Sequence, residues 1–160
     1  MVNRKRSGFS LIELVIVVVI IGIIAAIAVP RLSRGAAGAS DAALSGDLKV
    51  LRSALDMYAT EHGGTYPTQA QITAGVLTGY TDDAGNYNAT KSTTFVYGPY
   101  LRSVPTLPIG ANKGNTGIAA AAGTGVGWIY STTGTPPTSC TISASATTET
   151  DAAGNLYTAY

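Results

Sequence analysis

Phe9-Ser10-Leu11-Ile12-Glu13-Leu14-Val15-Ile16-Val17-Val18-Val19-Ile20-Ile21-Gly22-Ile23-Ile24-Ala25-Ala26-Ile27-Ala28-Val29 is a run of 21 residues whose only polar side chains are Ser10 and Glu13. As a helix it spans about 31 Å, the thickness of a bilayer's hydrocarbon core. Its β-branched stretch Val15 to Ile21 has modest helix propensity in water, but lipid offers the backbone N–H groups no partner outside the helix. The segment is therefore expected to be helical and to cross the membrane once. Arg4, Lys5 and Arg6 precede the run while Arg31 and Arg34 follow it, and this three-to-two balance favours a cytoplasmic N-terminus. A cleaved secretory signal peptide, with Ala26-Ile27-Ala28 as its small-x-small site, is the competing reading. Glu13 opposes it, because a carboxylate in a membrane helix costs about 2.5–3.5 kcal/mol and calls for a partner. No Lys, Arg or His lies within the run. The partner is expected from another chain or from an amine newly made by proteolysis. The alternative is that Glu13 snorkels to the headgroups or stays protonated.

Composition sets the outer bounds. The chain has 160 residues, 12% of them charged, with 10 Lys plus Arg against 9 Asp plus Glu, so it holds one domain's worth of material and no general pull toward nucleic acid. One cysteine, Cys140, closes no intramolecular disulfide and builds no cysteine-based metal site. With His62 as the only imidazole and no nucleophile motif around either residue, a His-dependent hydrolase is excluded as a working hypothesis and the chain is read as a non-enzyme. His62 is expected to interact with the end of a helix, and Cys140 to pack as a small apolar residue in a strand. Gly110 to Gly117 breaks the phosphate-loop spacing, and Gly123-Thr124-Gly125-Val126-Gly127-Trp128 places Trp where a dinucleotide fingerprint needs Gly.

Beyond the apolar run, Pro30 cannot donate to the carbonyl of Ala26, and Gly22 weakens the helix locally. Gly22 to Pro30 is thus either a kink or a stretch poised to lose helical order. Next come Leu44, Leu48, Leu51, Leu55 and Tyr58 at spacings of four, three, four and three, with Asp47, Lys49, Arg52, Asp56 and Glu61 on other sides. This predicts an amphipathic helix laid on a soluble domain. Ser40 or Asp41 is placed to cap a restart, and Gly63-Gly64 marks the stop. A helix from Phe9 to His62 would reach about 80 Å. The remaining residues, 63–160, hold nearly all the aromatics. Strands are expected at Thr93 to Tyr97, Val126 to Ser131, Cys140 to Ala144 and Leu156 to Tyr160, with a short helix over Gln69 to Leu77. The fold class is α+β: a long N-terminal helix packed on a small antiparallel β-sheet head. Its segments are 1–8, 9–30, 31–62 and 63–160.

Arg4-Lys5-Arg6-Ser7-Gly8-Phe9-Ser10-Leu11-Ile12-Glu13-Leu14, followed by the apolar run and Pro30, resembles the class III leader of type IV pilins and pseudopilins. The resemblance implies that residues 1–8 are a leader, and that prepilin peptidase cuts between Gly8 and Phe9 and methylates the new amine of Phe9. It also implies that Glu13 directs filament assembly and that Gly22 to Pro30 can melt as subunits leave the lipid. The implied partners are further copies of the chain, minor pilins or pseudopilins, the inner-membrane platform protein and an assembly ATPase. The implied location is the inner membrane, with the head in the periplasm. In the head, Gly63-Gly64-Thr65-Tyr66-Pro67-Thr68, Gly98-Pro99-Tyr100-Leu101-Arg102-Ser103-Val104-Pro105 and Gly127-Trp128-Ile129-Tyr130 resemble the major pseudopilins of type II secretion. Many type IV pilins close a C-terminal loop with a cysteine pair, so the solitary Cys140 favours the pseudopilin. A pilin for adhesion, motility or DNA uptake stays open, as does an exported, membrane-tethered binding domain.

One cluster has hard-cation chemistry. Asp82, Asp83, Asn86 and Asn88 bring four oxygen-bearing side chains within seven residues, with Gly85 allowing a tight turn, and calcium is the natural ion. The competing reading is a solvated turn, and Asp151-Ala152-Ala153-Gly154-Asn155 repeats the pattern.

Overall fold

The computed structural model describes residues 9–151 and 153–160. One long helix, α1, covers Leu11–Glu61, and α2 covers Gln69–Ala74. Five strands follow: β1 (Tyr80–Thr81), β2 (Tyr87–Asn88), β3 (Gly117–Ala119), β4 (Val126–Thr133) and β5 (Ser139–Ala144). A 3₁₀ turn at Tyr157–Ala159 ends the chain. The architecture is the expected α+β arrangement. The chain divides into two compact units, Met1–Ala37 and Gly38–Tyr160.

In the first unit, the described residues are helical from Leu11 onward. The large apolar side chains from Phe9 to Leu32 are 45% to 80% exposed, and an 18-residue window reaches a mean hydropathy of 3.2 with none of it buried. A helix this apolar and this uncovered is long enough to cross a membrane. Gly22 and Pro30 both lie inside α1, whose helical assignment runs past them.

In the second unit, α1 buries the stripe that its periodicity marked. Leu44, Leu48, Leu51, Leu55 and Tyr58 are each at most 2% exposed. They meet Ile72, Val76, Leu101, Leu107, Trp128, Tyr130, Ile142 and Tyr157 in one apolar cluster. The expected restart at Ser40 or Asp41 does not occur, because α1 is unbroken there. Asp41 instead accepts from the Tyr157 hydroxyl at 2.7 Å. The stop falls as the glycines require: α1 ends at Glu61, and Gly63 and Gly64 take φ of 63° and 85°. The short helix is shorter than Gln69 to Leu77. Thr68 and Gln71 form a capping box at its start, and Gly75, left-handed at φ 99°, closes it after Ala74.

β4 and β5 form an antiparallel hairpin, each extended slightly beyond its expected ends. Trp128 faces Ala144 and Tyr130 faces Ile142, so large and small residues alternate across the buried face. The polar ends of both aromatics are satisfied: Trp128 Nε1 donates to Pro105 O at 2.9 Å and the Tyr130 hydroxyl to Pro67 O at 2.6 Å. β3 runs parallel to β4, making this three-stranded sheet mixed rather than purely antiparallel. The connection between them, residues 120–125, is far shorter than an ordinary crossover. Contact is accordingly limited to three residues, with a register irregularity between Gly117 and Ile118.

Two expected strands are absent. Over Thr93 to Tyr97 only Tyr97 pairs, as an isolated bridge to Thr81. The Ser92 hydroxyl accepts from the N–H groups of Thr94 and Phe95, a local turn that competes with a ladder. Over Leu156 to Tyr160, Leu156 bridges Thr150 and the chain then turns into the 3₁₀ helix. The hydroxyls of Tyr157 and Tyr160 anchor that turn to Asp41 and Asp151.

Candidate functional site

The region expected to be processed includes Arg4, Lys5, Arg6 and Gly8, which lie outside the described residues. Phe9 is described and is 78% exposed. Ser10 then stands as the N-cap of α1, and Glu13 is the third helical residue. Ser10 O accepts from the Leu14 N–H at 3.2 Å, and the Ser10 N–H donates to Glu13 Oε2 at 2.9 Å. This is one half of a capping box. Within a single chain the Glu13 carboxylate therefore has a use that needs no second subunit: it satisfies an orphan donor at the positive end of the helix dipole. The signal was present in the sequence as Ser10-Leu11-Ile12-Glu13, the Ser-x-x-Glu spacing that opens many helices. The readings of Glu13 as paired with an amine, snorkelling or protonated did not include this cap.

In the Asp82 cluster both Asp82 oxygens, one Asp83 oxygen and the Asn88 oxygen already accept hydrogen bonds. Asp82 Oδ1 accepts from the N–H groups of Ala84 at 3.0 Å and Asn86 at 2.8 Å, and Oδ2 from Asn86 Nδ2 at 2.8 Å. These bonds hold the Asp82 carboxyl below its ordinary range, Asn86 contributing most. Asp83 Oδ1 accepts from the Tyr97 hydroxyl at 2.7 Å, and Asn88 Oδ1 from Thr90. The Asp151 turn has the same construction: Oδ1 accepts from Ala153 and Asn155 N–H at 2.8 Å each, and Oδ2 from Asn155 Nδ2 at 2.9 Å. The cluster's oxygens chemically suit calcium, but an ion would have to displace the N–H and O–H groups that close the turn. Among the described residues no three acidic, histidine or cysteine side chains come together as a metal set.

His62 lies just past the end of α1, stacked on Tyr58 with ring centroids 3.9 Å apart. Its Nδ1 is 2.8 Å from Tyr58 O, a last-turn carbonyl, and its Nε2 is 3.0 Å from Asp82 O. This is the helix-end role expected for it, extended to fasten the Asp82 turn. Cys140, half-buried in β5, borders a groove of about 520 Å³ lined also by Arg52, Asp56, Tyr66 and Tyr160. Burial pushes its thiol up, against a hydrogen bond with Tyr130 that lowers it. The groove's polar groups are engaged with one another: Tyr66 donates to Asp56 at 2.9 Å, and Arg52 donates to the carbonyls of Ile142 and Tyr160. Among the described residues, three tyrosine hydroxyls tie the rest of this unit to carboxylates on α1: Tyr66 to Asp56, Tyr100 to Glu61 and Tyr157 to Asp41. Spacing along the chain carries no sign of these bonds.

Residues 3–29 match the family described as the prokaryotic N-terminal methylation motif. No curated protein and no solved structure matches the chain. The matched span contains the basic residues, Gly8, Phe9, Glu13 and the apolar run, joined without interruption to a helix able to cross a membrane. The chain thus carries a class III prepilin leader, the N-terminal signature of the type IV pilin and pseudopilin family.

Proposed function

We propose that this protein is a structural subunit of a helical filament anchored in the inner membrane, and specifically a type II secretion pseudopilin. The observation that carries the reading is the methylation motif over residues 3–29 running straight into an exposed apolar helix with one carboxylate in its first turn. Prepilin peptidase, on the cytoplasmic side, cuts between Gly8 and Phe9. The cut removes Arg4, Lys5 and Arg6 and leaves an α-amine of intrinsic pKa near 7.7–8.0, whose charge N-methylation keeps. Residues 9–30 are the membrane and filament-core helix, 31–62 the amphipathic helix, and 63–160 the periplasmic head.

Glu13 acts twice in this scheme. In the stored subunit it caps its own helix through Ser10. In the filament it faces the Phe9 ammonium of a neighbour, where low dielectric strengthens the attraction and makes an unpaired charge expensive. Register between subunits follows from that pairing. Gly22 and Pro30 mark the stretch that yields as the helix leaves lipid for the filament.

The solitary Cys140 supports pseudopilin over adhesive pilin, because the head holds its C-terminal segment by hydrogen bonds from Tyr157, Tyr160 and Arg52 in place of a disulfide. The test is deletion in the host. Loss of a secreted protein from the medium with surface pili intact supports the pseudopilin, whereas loss of surface pili, twitching or DNA uptake with secretion intact supports a type IV pilin.

A further inference from the structure

β2 ends at Asn88, and the chain leaves its two-stranded ladder through Ala89 and Thr90, both exposed. Asn88-Ala89-Thr90 is an Asn-x-Thr triplet without proline at its centre, the sequence that accepts N-linked glycans on exported surface loops. The geometry divides the carboxamide's two ends. Asn88 Oδ1 accepts from the Thr90 N–H at 3.0 Å and from the Thr90 hydroxyl at 3.1 Å, so both polar hydrogens of the third residue converge on the first residue's oxygen. Asn88 Nδ2 makes no hydrogen bond among the described residues. No buried side-chain nitrogen or oxygen there lacks a partner, so this unpartnered nitrogen lies at solvent. Asn86, Asn112 and Asn155 differ, their side-chain nitrogens donating to Asp82, Ser145 and Asp151, and Asn115, with Gly117 two residues on, is not in an Asn-x-Ser/Thr triplet.

We propose that Asn88 is a glycan acceptor. The donor class is an oligosaccharide carried on a lipid phosphate or diphosphate. A bond forms between Asn88 Nδ2 and the sugar's anomeric carbon, and the bond from that carbon to the phosphate oxygen breaks. The lipid phosphate leaves with the electron pair, and the carboxamide gives up one proton to a base of the transferase. Thr90 is a positioning residue, fixing the oxygen so that the nitrogen faces outward. The proposal rests on the reading that the head is exported, since lipid-linked donors are used on that side of the membrane.

The test is mass spectrometry of the full chain purified from its host's membranes, reading the N-terminus and the Asn88 peptide in one digest. The expected result is a chain starting at Phe9 with a glycan mass on the Asn88 peptide, lost in Asn88→Gln and Thr90→Ala and kept in Thr90→Ser. A chain starting at Phe9 with unmodified Asn88 overturns this proposal alone, and so does a glycan confined to Ser or Thr residues. An uncut chain with unmodified Asn88 overturns both the proposal and the processing reading beneath it.

Discussion

Glu13→Gln separates the two tasks assigned to Glu13. Glutamine keeps a side-chain oxygen that can accept from the Ser10 N–H, now 2.9 Å from Glu13 Oε2, and so keeps the cap. Glu13→Ala loses the cap as well, worth about 1 kcal/mol at a helix N-terminus. Neither change adds a charge to the apolar run, so both variants are expected in the membrane fraction at parental levels. Pairing with a neighbour's ammonium is a different matter. Removing one partner of a buried ion pair costs about 3–5 kcal/mol, which at about 1.4 kcal/mol per tenfold is a loss of two to three and a half orders of magnitude per contact. The assay is complementation of a deletion strain at matched expression, with filaments sheared or purified and their subunit content quantified against the membrane pool. Intact mass confirms cleavage and methylation in each variant. The prediction is that Glu13→Gln and Glu13→Ala both reduce assembled subunit by about 100-fold or more. If Glu13→Gln assembles like the parent while Glu13→Ala fails, Glu13 serves as a local cap and the pairing mechanism is wrong.

Gly8→Ala should slow or block removal of the leader, visible as a larger species on a gel and an intact Met1 by mass; efficient cutting in that variant contradicts the assigned site. Leu51→Ala, at a position fully buried in the head's core, should cost about 2.7–5 kcal/mol in urea unfolding followed by Trp128 fluorescence in detergent. Tyr130→Phe leaves Pro67 O buried without its 2.6 Å donor and should cost about 1–3 kcal/mol in the same assay. Alkaline pH should loosen the head. Tyr58 is pushed up to about 12 by burial, and Tyr157 and Tyr160 to about 12 chiefly by their bonds to Asp41 and Asp151. Unfolded tyrosines titrate near 10, so between about pH 10 and 12 the unfolded chain holds fewer protons than the folded one. Stability is therefore full below about pH 10 and falls as pH rises toward 12, and Tyr157→Phe should flatten that fall in thermal melts.

Much of this architecture was legible because it is written in local periodicity. The four-three spacing from Leu44 to Tyr58 named the buried face of α1, and Gly63-Gly64 named its end. Val126 to Ser131 was legible as a strand, and Trp128 and Tyr130, two apart in it, share its buried face. Long-range polar bonds were not legible. Tyr157 reaches Asp41 across 116 positions, and that bond, with Tyr160 on Asp151, turns an expected strand into a 3₁₀ turn. Ser92 folds its own turn where β-prone residues bounded by turn signals suggested a strand. β3 was invisible because Gly117-Ile118-Ala119 is too short to show a pattern, and its parallel pairing follows from the loop that returns it to β4. At the N-terminus the Ser10-x-x-Glu13 spacing specifies a helix cap as well as a carboxylate in an apolar helix, and the two readings share the same residues. The leader motif is legible because peptidase recognition is local in sequence. The choice between secretion and surface pili depends on head surfaces that meet other subunits, and no single-chain spacing encodes those.

The central claim is that this chain is cut and methylated as a filament subunit, and its most direct test is the N-terminal sequence and intact mass of the protein from its host's membranes. The account predicts a chain that begins at N-methylated Phe9. A chain that begins at Val29, or retains Met1, contradicts it.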